Sequence, residues 1–131
     1  MTKLADIETE VRQYFSVNWT ATDIAWPNRP YTPVTGVPWV SVAILPGNTF
    51  EKEIGVTSSA VGERTGVVIF SVFVPLSGGT LKASEYSDQI EALFRRRILS
   101  TIYFGEPYTS LAGNDAPWCQ MSVKCPFWAW V

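Results

Sequence analysis

Histidine is absent from the 131-residue sequence. That removes the commonest general base, the commonest metal ligand and every Ser-His or Cys-His dyad. Cysteine is nearly absent, with Cys119 and Cys125 alone. They are six positions apart in a segment that alternates like a strand, so they would lie about 20 Å apart, beyond disulfide reach. Their even separation puts them on one face of that strand. Buried free thiols are the expected state, and two distant thiols are too few for a Cys/His metal site. No G-x-x-x-x-G-K-[ST] or G-x-G-x-x-G occurs, and "SGG" at 77–79 is a lone glycine turn. The formal net charge of -2 gives no drive toward DNA or an anionic membrane. No apolar run approaches the roughly 18 residues of a membrane span. The charged, helix-patterned start "MTKLADIETEVRQYF" does not read as a secretory signal, so an unexported, intracellular protein is expected.

What is present is a chain that folds. Hydrophobic residues make up 47% and aromatics 14%, which argues against disorder. The length predicts a single domain over 1–131.

Residues 3–16 have helical spacing, with Leu4, Ile7, Val11, Tyr14 and Phe15 on one face and Thr2 as N-cap. "AWPNRPYTP", 25–33, carries three prolines, a Trp and a Tyr. It has the composition of a recognition peptide. Between a helix and a strand it reads better as an extended crossing held by its prolines, with Trp26 and Tyr31 as pins. A short strand is expected at 24–26. "VPWVSVAILPG", 37–47, alternates as a strand that Pro46-Gly47 should break. "FEKEIGVT", 50–57, reads as a polar edge strand, and 58–66 as a turn or twisted crossing. "GVVIFSVFVP", 66–75, is apolar on both faces, so both should be covered. Helices account for one side. A partner subunit or the chain's own loops would cover the other.

A second helix is expected over 84–98, with Tyr86, Ile90, Leu93, Phe94 and Ile98 on its apolar face. Its acids precede Arg95, Arg96 and Arg97, which suits the helix dipole. "RRR" is therefore first a helix end and only secondarily a nucleic-acid patch. Arg97 projects into the apolar face. Either the helix stops before it, or its stem snorkels, or it meets a carboxylate at a subunit contact. Residues 103–117 look like loop, and 118–131 alternate as a last strand ending in Trp128 and Trp130. Strands running consecutively predict an α+β fold, a mostly antiparallel sheet with two amphipathic helices packed on one face.

The order of these pieces carries a resemblance. "WPNRPYTP" is followed by "PWVSVAILPG", then by R-x-G-x-x-x-[IF]-x-[VI]-x-x-P (Arg64, Gly66, Phe70, Val72, Pro75), then by "YSDQIEALFRRR" with Asp88 and Ile90. Nearly the whole chain resembles the small tail terminator and tail-completion proteins of long-tailed bacteriophages. The resemblance implies a structural virion protein assembled in the host cytoplasm. It would be a hexameric ring capping the head-proximal end of the tail tube, stopping its polymerisation and joining the head. The implied partners are further copies of the chain, the tail tube protein and a head-completion or connector protein. Non-specific contact with DNA in the lumen is implied too, with no membrane, cofactor or reaction. A different neck, connector or tail-tube component of related fold is the alternative. An enzyme or a peptide-binding module is the outside reading. Asp23, Glu63 and Asp115 are the acids an enzyme would use, but they form no paired motif. The expected interface residues are Arg29, Glu63, Arg64, Arg95, Arg96, Arg97, Trp128 and Trp130, with the loops at 46–53 and 104–117. Interfaces favour Trp and Arg. The six Trp are either such anchors or core.

Overall fold

The structure, a computed structural model, describes residues 4–27, 29–34, 36–51, 62–76, 80–115 and 118–130. Its elements run α1 (Leu4–Asn18), β1 (Asp23–Ala25), β2 (Trp39–Glu51), β3 (Gly62–Pro75), α2 (Leu81–Phe94), β4 (Ile98–Leu99), β5 (Ile102–Phe104), β6 (Tyr108–Asp115) and β7 (Trp118–Trp130). The strands form a 7-stranded sheet of order β1-β2-β3-β7-β5-β4, with β6 also paired to β7. Every pairing is antiparallel except β1 with β2. The fold is α+β, as expected.

Alternation along the strands builds the core. Val40 and Val42 of β2, Val68, Phe70, Val72 and Val74 of β3, and Cys119, Val123, Cys125 and Phe127 of β7 are all buried. Above them lie Ile7, Val11 and Phe15 of α1 and Ala83, Tyr86, Ile90 and Phe94 of α2. Phe15 and Phe94 both pack on Phe70, at 4.7 and 4.9 Å between ring centroids. Tyr14 ties the two helices together by donating its hydroxyl to the Leu93 carbonyl at 2.8 Å.

The proline-rich crossing is pinned at two points. Trp26 packs against the core, edge-on to Phe15 at 6.2 Å. Tyr31 packs on Trp39 at 5.1 Å and donates its hydroxyl to Asp23. Burial, with the Asp23 carboxylate adding, raises the Tyr31 pKa. The segment therefore wraps from the helix side of the sheet to its other side.

Several expectations are corrected. Pro46-Gly47 does not end β2, which runs on to Glu51 through a register shift between Pro46 and Thr49. Proline is tolerated there because, among the described residues, no strand pairs with the outer side of β2 at that point. Residues 62–66 belong to β3. Of the strand expected at 50–57, residues 50 and 51 belong to β2 and 52–57 fall outside the described residues, as do 58–61 of the turn expected at 58–66 and the Thr2 cap. Within the expected loop 103–117, residues 103–104 and 108–115 are strand, because β5 and β6 both pair with β7 there, while 105–107 belong to no strand and 116–117 fall outside the described residues. Helix α2 ends at Phe94 rather than 98. Arg96 turns the chain with φ 47, and its N–H reaches the Gly105 carbonyl at 3.1 Å. Ile98 thus leaves the helical face for β4, where it is 60% exposed.

The two cysteines are free and buried on the helix side of β7. Burial, with the Glu91 carboxylate adding, pushes the Cys125 thiol from 9.0 up to about 12. Below pH 9 the thiol is protonated in folded and unfolded chains alike, and the fold keeps its full stability. Above that the unfolded chain ionises first, so this contribution drains away between about 9 and about 12. Cys125→Ala is expected to flatten the fall in urea midpoint between about pH 8 and about pH 10.5 relative to the parent. An equal fall in both chains would refute the assignment.

Candidate functional site

The register carries side chains of four strands onto the side without helices. Trp39, Ser41, Ala43 and Leu45 of β2 lie opposite Phe73, Ser71, Ile69 and Val67 of β3. Those lie opposite Gln120, Ser122, Lys124 and Pro126 of β7. Ser110 and Tyr108 of β6 extend the rows at Ser122 and Lys124. Ser41, Ser71, Ser122 and Ser110 thus stand abreast and divide the face.

On one side of the serines is an aromatic corner. Trp39 stacks on Phe73 at 4.1 Å, and Trp118 meets it edge-on at 6.2 Å. The indole N–H of Trp39 is buried without a hydrogen-bond partner among the described residues. On the other side, Leu45, Pro46, Thr65, Val67 and Pro126 line a trough of about 530 Å³, with Glu63 and Trp128 at its wall. Trp128 is 38% exposed and stacks on Tyr103 at 5.8 Å. Charge is sparse on this face. Among the described residues of these rows there are only Lys124, whose ammonium lies 5.7 Å over the Tyr108 ring, and Glu63 at the trough.

No described element covers this face, apart from Tyr31 at its aromatic corner. Its apolar residues on β3 are half-buried, whereas the opposite face is closed by the helices. The tryptophans accordingly divide. Trp19 is core and Trp26 packs against it, while Trp39, Trp118 and Trp128 lie on the helix-free side.

Of the expected interface residues, Glu63 and Trp128 share the trough. Arg64 follows Glu63 on β3 and is half-buried, with a buried Nε lacking a partner among the described residues. Trp130 pairs with Glu63 through the backbone, and its side chain lies outside the described residues. Arg95 and Arg96 converge on Glu106 at 3.1 and 2.9 Å, and Arg95 also reaches Glu91 at 2.9 Å. Glu91 in turn accepts from Thr109 on β6. The arginines therefore fasten the α2 turn to the sheet, in exposed pairs that contribute little energy singly. Arg97 lies beyond the helix end with its guanidinium 5.5 Å over Tyr14. Arg29 is exposed in the crossing, its N–H bonded to the Trp26 carbonyl at 3.3 Å.

Sequence reasoning did not single out Trp39, Phe73, Trp118, Leu45 or Tyr108. The available signal was the apolar alternation on both faces of β3. Among the described residues no group of His, Cys, Asp or Glu is placed to hold a metal, and no helix is long and apolar enough to cross a membrane.

Comparison with known proteins adds what geometry alone does not. No curated protein matches the chain in sequence. Solved structures do match. One, of a protein that carries no functional name, superposes with a TM-score of 0.66 at 14% identity, over 93% of this chain and 94% of that one. At that identity the likeness shows a shared fold. A family model described as phage tail terminator protein matches residues 5–127. With nearly the whole chain matched, this protein belongs to the phage tail terminator family, as a structural component of the phage tail.

Proposed function

We propose that the protein is a ring-forming terminator. It caps the head-proximal end of the tail tube, stops addition of tube subunits, and presents the surface on which the head connector docks. In this reading it works as one domain over 1–131, does no chemistry and needs no cofactor. Its partners are copies of itself, the tube protein and the connector.

The observation that carries the reading is the helix-free sheet face. It is aromatic at one end, hydroxylated across the middle, aliphatic at the other, and almost without charge. Interface cores have this composition, depleted in charge and rich in aromatics. Such a face is unsuited to gripping DNA, which needs clustered cations. DNA passing through the lumen would meet a slightly acidic protein that does not retain it.

The test is assembly. Purified protein, alone or with tube ends, should give rings of one size by light scattering and electron microscopy. Phage lacking the protein should make tails of irregular length. A chain that stays monomeric and never associates with tubes would sink the proposal. Loss of the tube itself, rather than of its length control, would favour a tube component instead.

A further inference from the structure

We infer that copies of this chain join by strand addition, the outer edge of β2 at residues 42–45 pairing with the outer edge of β6 at residues 108–111 in the next copy. The inference rests on the proposed ring and names how its subunits meet.

The sheet leaves these two edges open. β1 pairs with β2 only as far as Ser41, beyond which Trp26 and Pro27 lie beside Val42 and Ile44, so among the described residues β2 from Val42 onward is paired with a strand on one side alone. Among the described residues β6 pairs only with β7. Among the described residues no other backbone hydrogen bond reaches either segment. Each segment is four residues, about 13 Å of strand, and each stops at an irregularity. β2 shifts register between Pro46 and Thr49, and β6 between Leu111 and Gly113.

Open edges are normally guarded by charge, proline, bulges or cover. β4 follows Arg96 and Arg97, and β1 begins with Asp23. The two segments "VAIL" and "YTSL" carry neither charge nor proline. They also expose apolar side chains at the rim: Leu45 at 53%, Tyr108 at 53% and Leu111 at 64%. Strand alternation puts Ala43 and Leu45 on the helix-free face, where Tyr108 and Ser110 lie in β6. Pairing the edges would continue that face from one copy into the next.

The geometry favours a second copy of this chain as the occupant. The two edges belong to different strands on opposite sides of one sheet. Each copy thus offers one of each, so the contact is heterologous and repeats in one direction, which is the arrangement that closes into a ring. Backbone donors and acceptors on one edge meet those on the other, as in strand addition generally.

Hydrogen exchange on the assembled and dissociated protein tests the inference. The outward-facing amides within 42–45 and 108–111, which are alternate residues of each strand, should slow by about tenfold or more on assembly. Leu45→Lys and Leu111→Lys should each raise the dissociation constant of the ring by about tenfold or more while leaving the melting of the isolated chain unchanged. Leu81→Lys, at a site 71% exposed on α2 and outside both segments, should assemble like the parent. Rings whose edge amides exchange as fast as in the isolated chain would overturn strand addition and leave the ring standing. Lysine variants that assemble at parental concentrations would do the same. Failure to associate under any condition, tube ends included, would overturn both.

Discussion

Phe94→Ala is expected to cost about 3–5 kcal/mol of folding stability. Phe94 is fully buried. Its ring lies 4.9 Å from Phe70, 5.2 Å from Phe104, 5.3 Å from Tyr14 and 6.1 Å from Phe15. It is thus the point where α1, α2, β3 and β5 meet. Truncation removes the transfer free energy of the ring and leaves a cavity that none of these neighbours can fill without leaving its own site. A domain of this kind has only about 5–15 kcal/mol in total, so the variant should be marginal or unfolded at body temperature. Chemical denaturation measures it. Leu81→Ala, 71% exposed on α2, should stay within about 0.5 kcal/mol of the parent. If both variants lose the same stability, the core is not where the burial pattern puts it.

The residues that build this core were readable in the sequence, because burial imposes a period. Ile7, Val11 and Phe15 recur at helical spacing, and Val68, Phe70, Val72 and Val74 at strand spacing. The end of α2 was not readable. Ile98 happens to continue the helical period, and the turn is made by Arg96 in the left-handed region, where glycine is the usual signal. β6 was hidden for a different reason. "YTSLAGND" has turn-forming residues, including Gly113 at φ 104, and becomes a strand because β7 offers it a partner. Apolar residues on both faces of β3 announced a second apolar surface. Which residues make it up depended on the registers of β2 and β7 against β3, and long-range pairing leaves no local trace. The arginines were legible as a helix terminus, but Glu106, which receives two of them, lay in a segment read as loop.

Gly66→Ala is expected to destabilise the chain by about 1–3 kcal/mol, toward the upper end of that range. Gly66 sits between Pro46 of β2 and Phe127 of β7 in the register. A Cβ there would lie 2.5 Å from Cζ of Phe127 and 2.7 Å from the Leu45 carbonyl oxygen. Neither can yield easily. Phe127 is 2% exposed and packs against Phe104 at 6.0 Å, and the carbonyl belongs to the backbone of β2. The glycine in the Arg64-x-Gly66 pattern is therefore a close-approach residue, where β2, β3 and β7 converge beside the trough. Gly36→Ala is the contrasting variant. Its φ of +84 makes alanine strained, but nothing lies within 4 Å, so it should cost about 1–2 kcal/mol of backbone strain with no steric part. Combining Gly66→Ala with Phe127→Leu separates the two obstacles. The smaller side chain relieves the ring clash and leaves the carbonyl, so the double variant should recover part of the sum of the single losses and not all of it. Strict additivity would mean that the ring and the added methyl never meet. Because the carbonyl belongs to Leu45, its displacement should also shift the β2 edge, so on the proposed strand addition Gly66→Ala should need a higher protein concentration to assemble than Gly36→Ala.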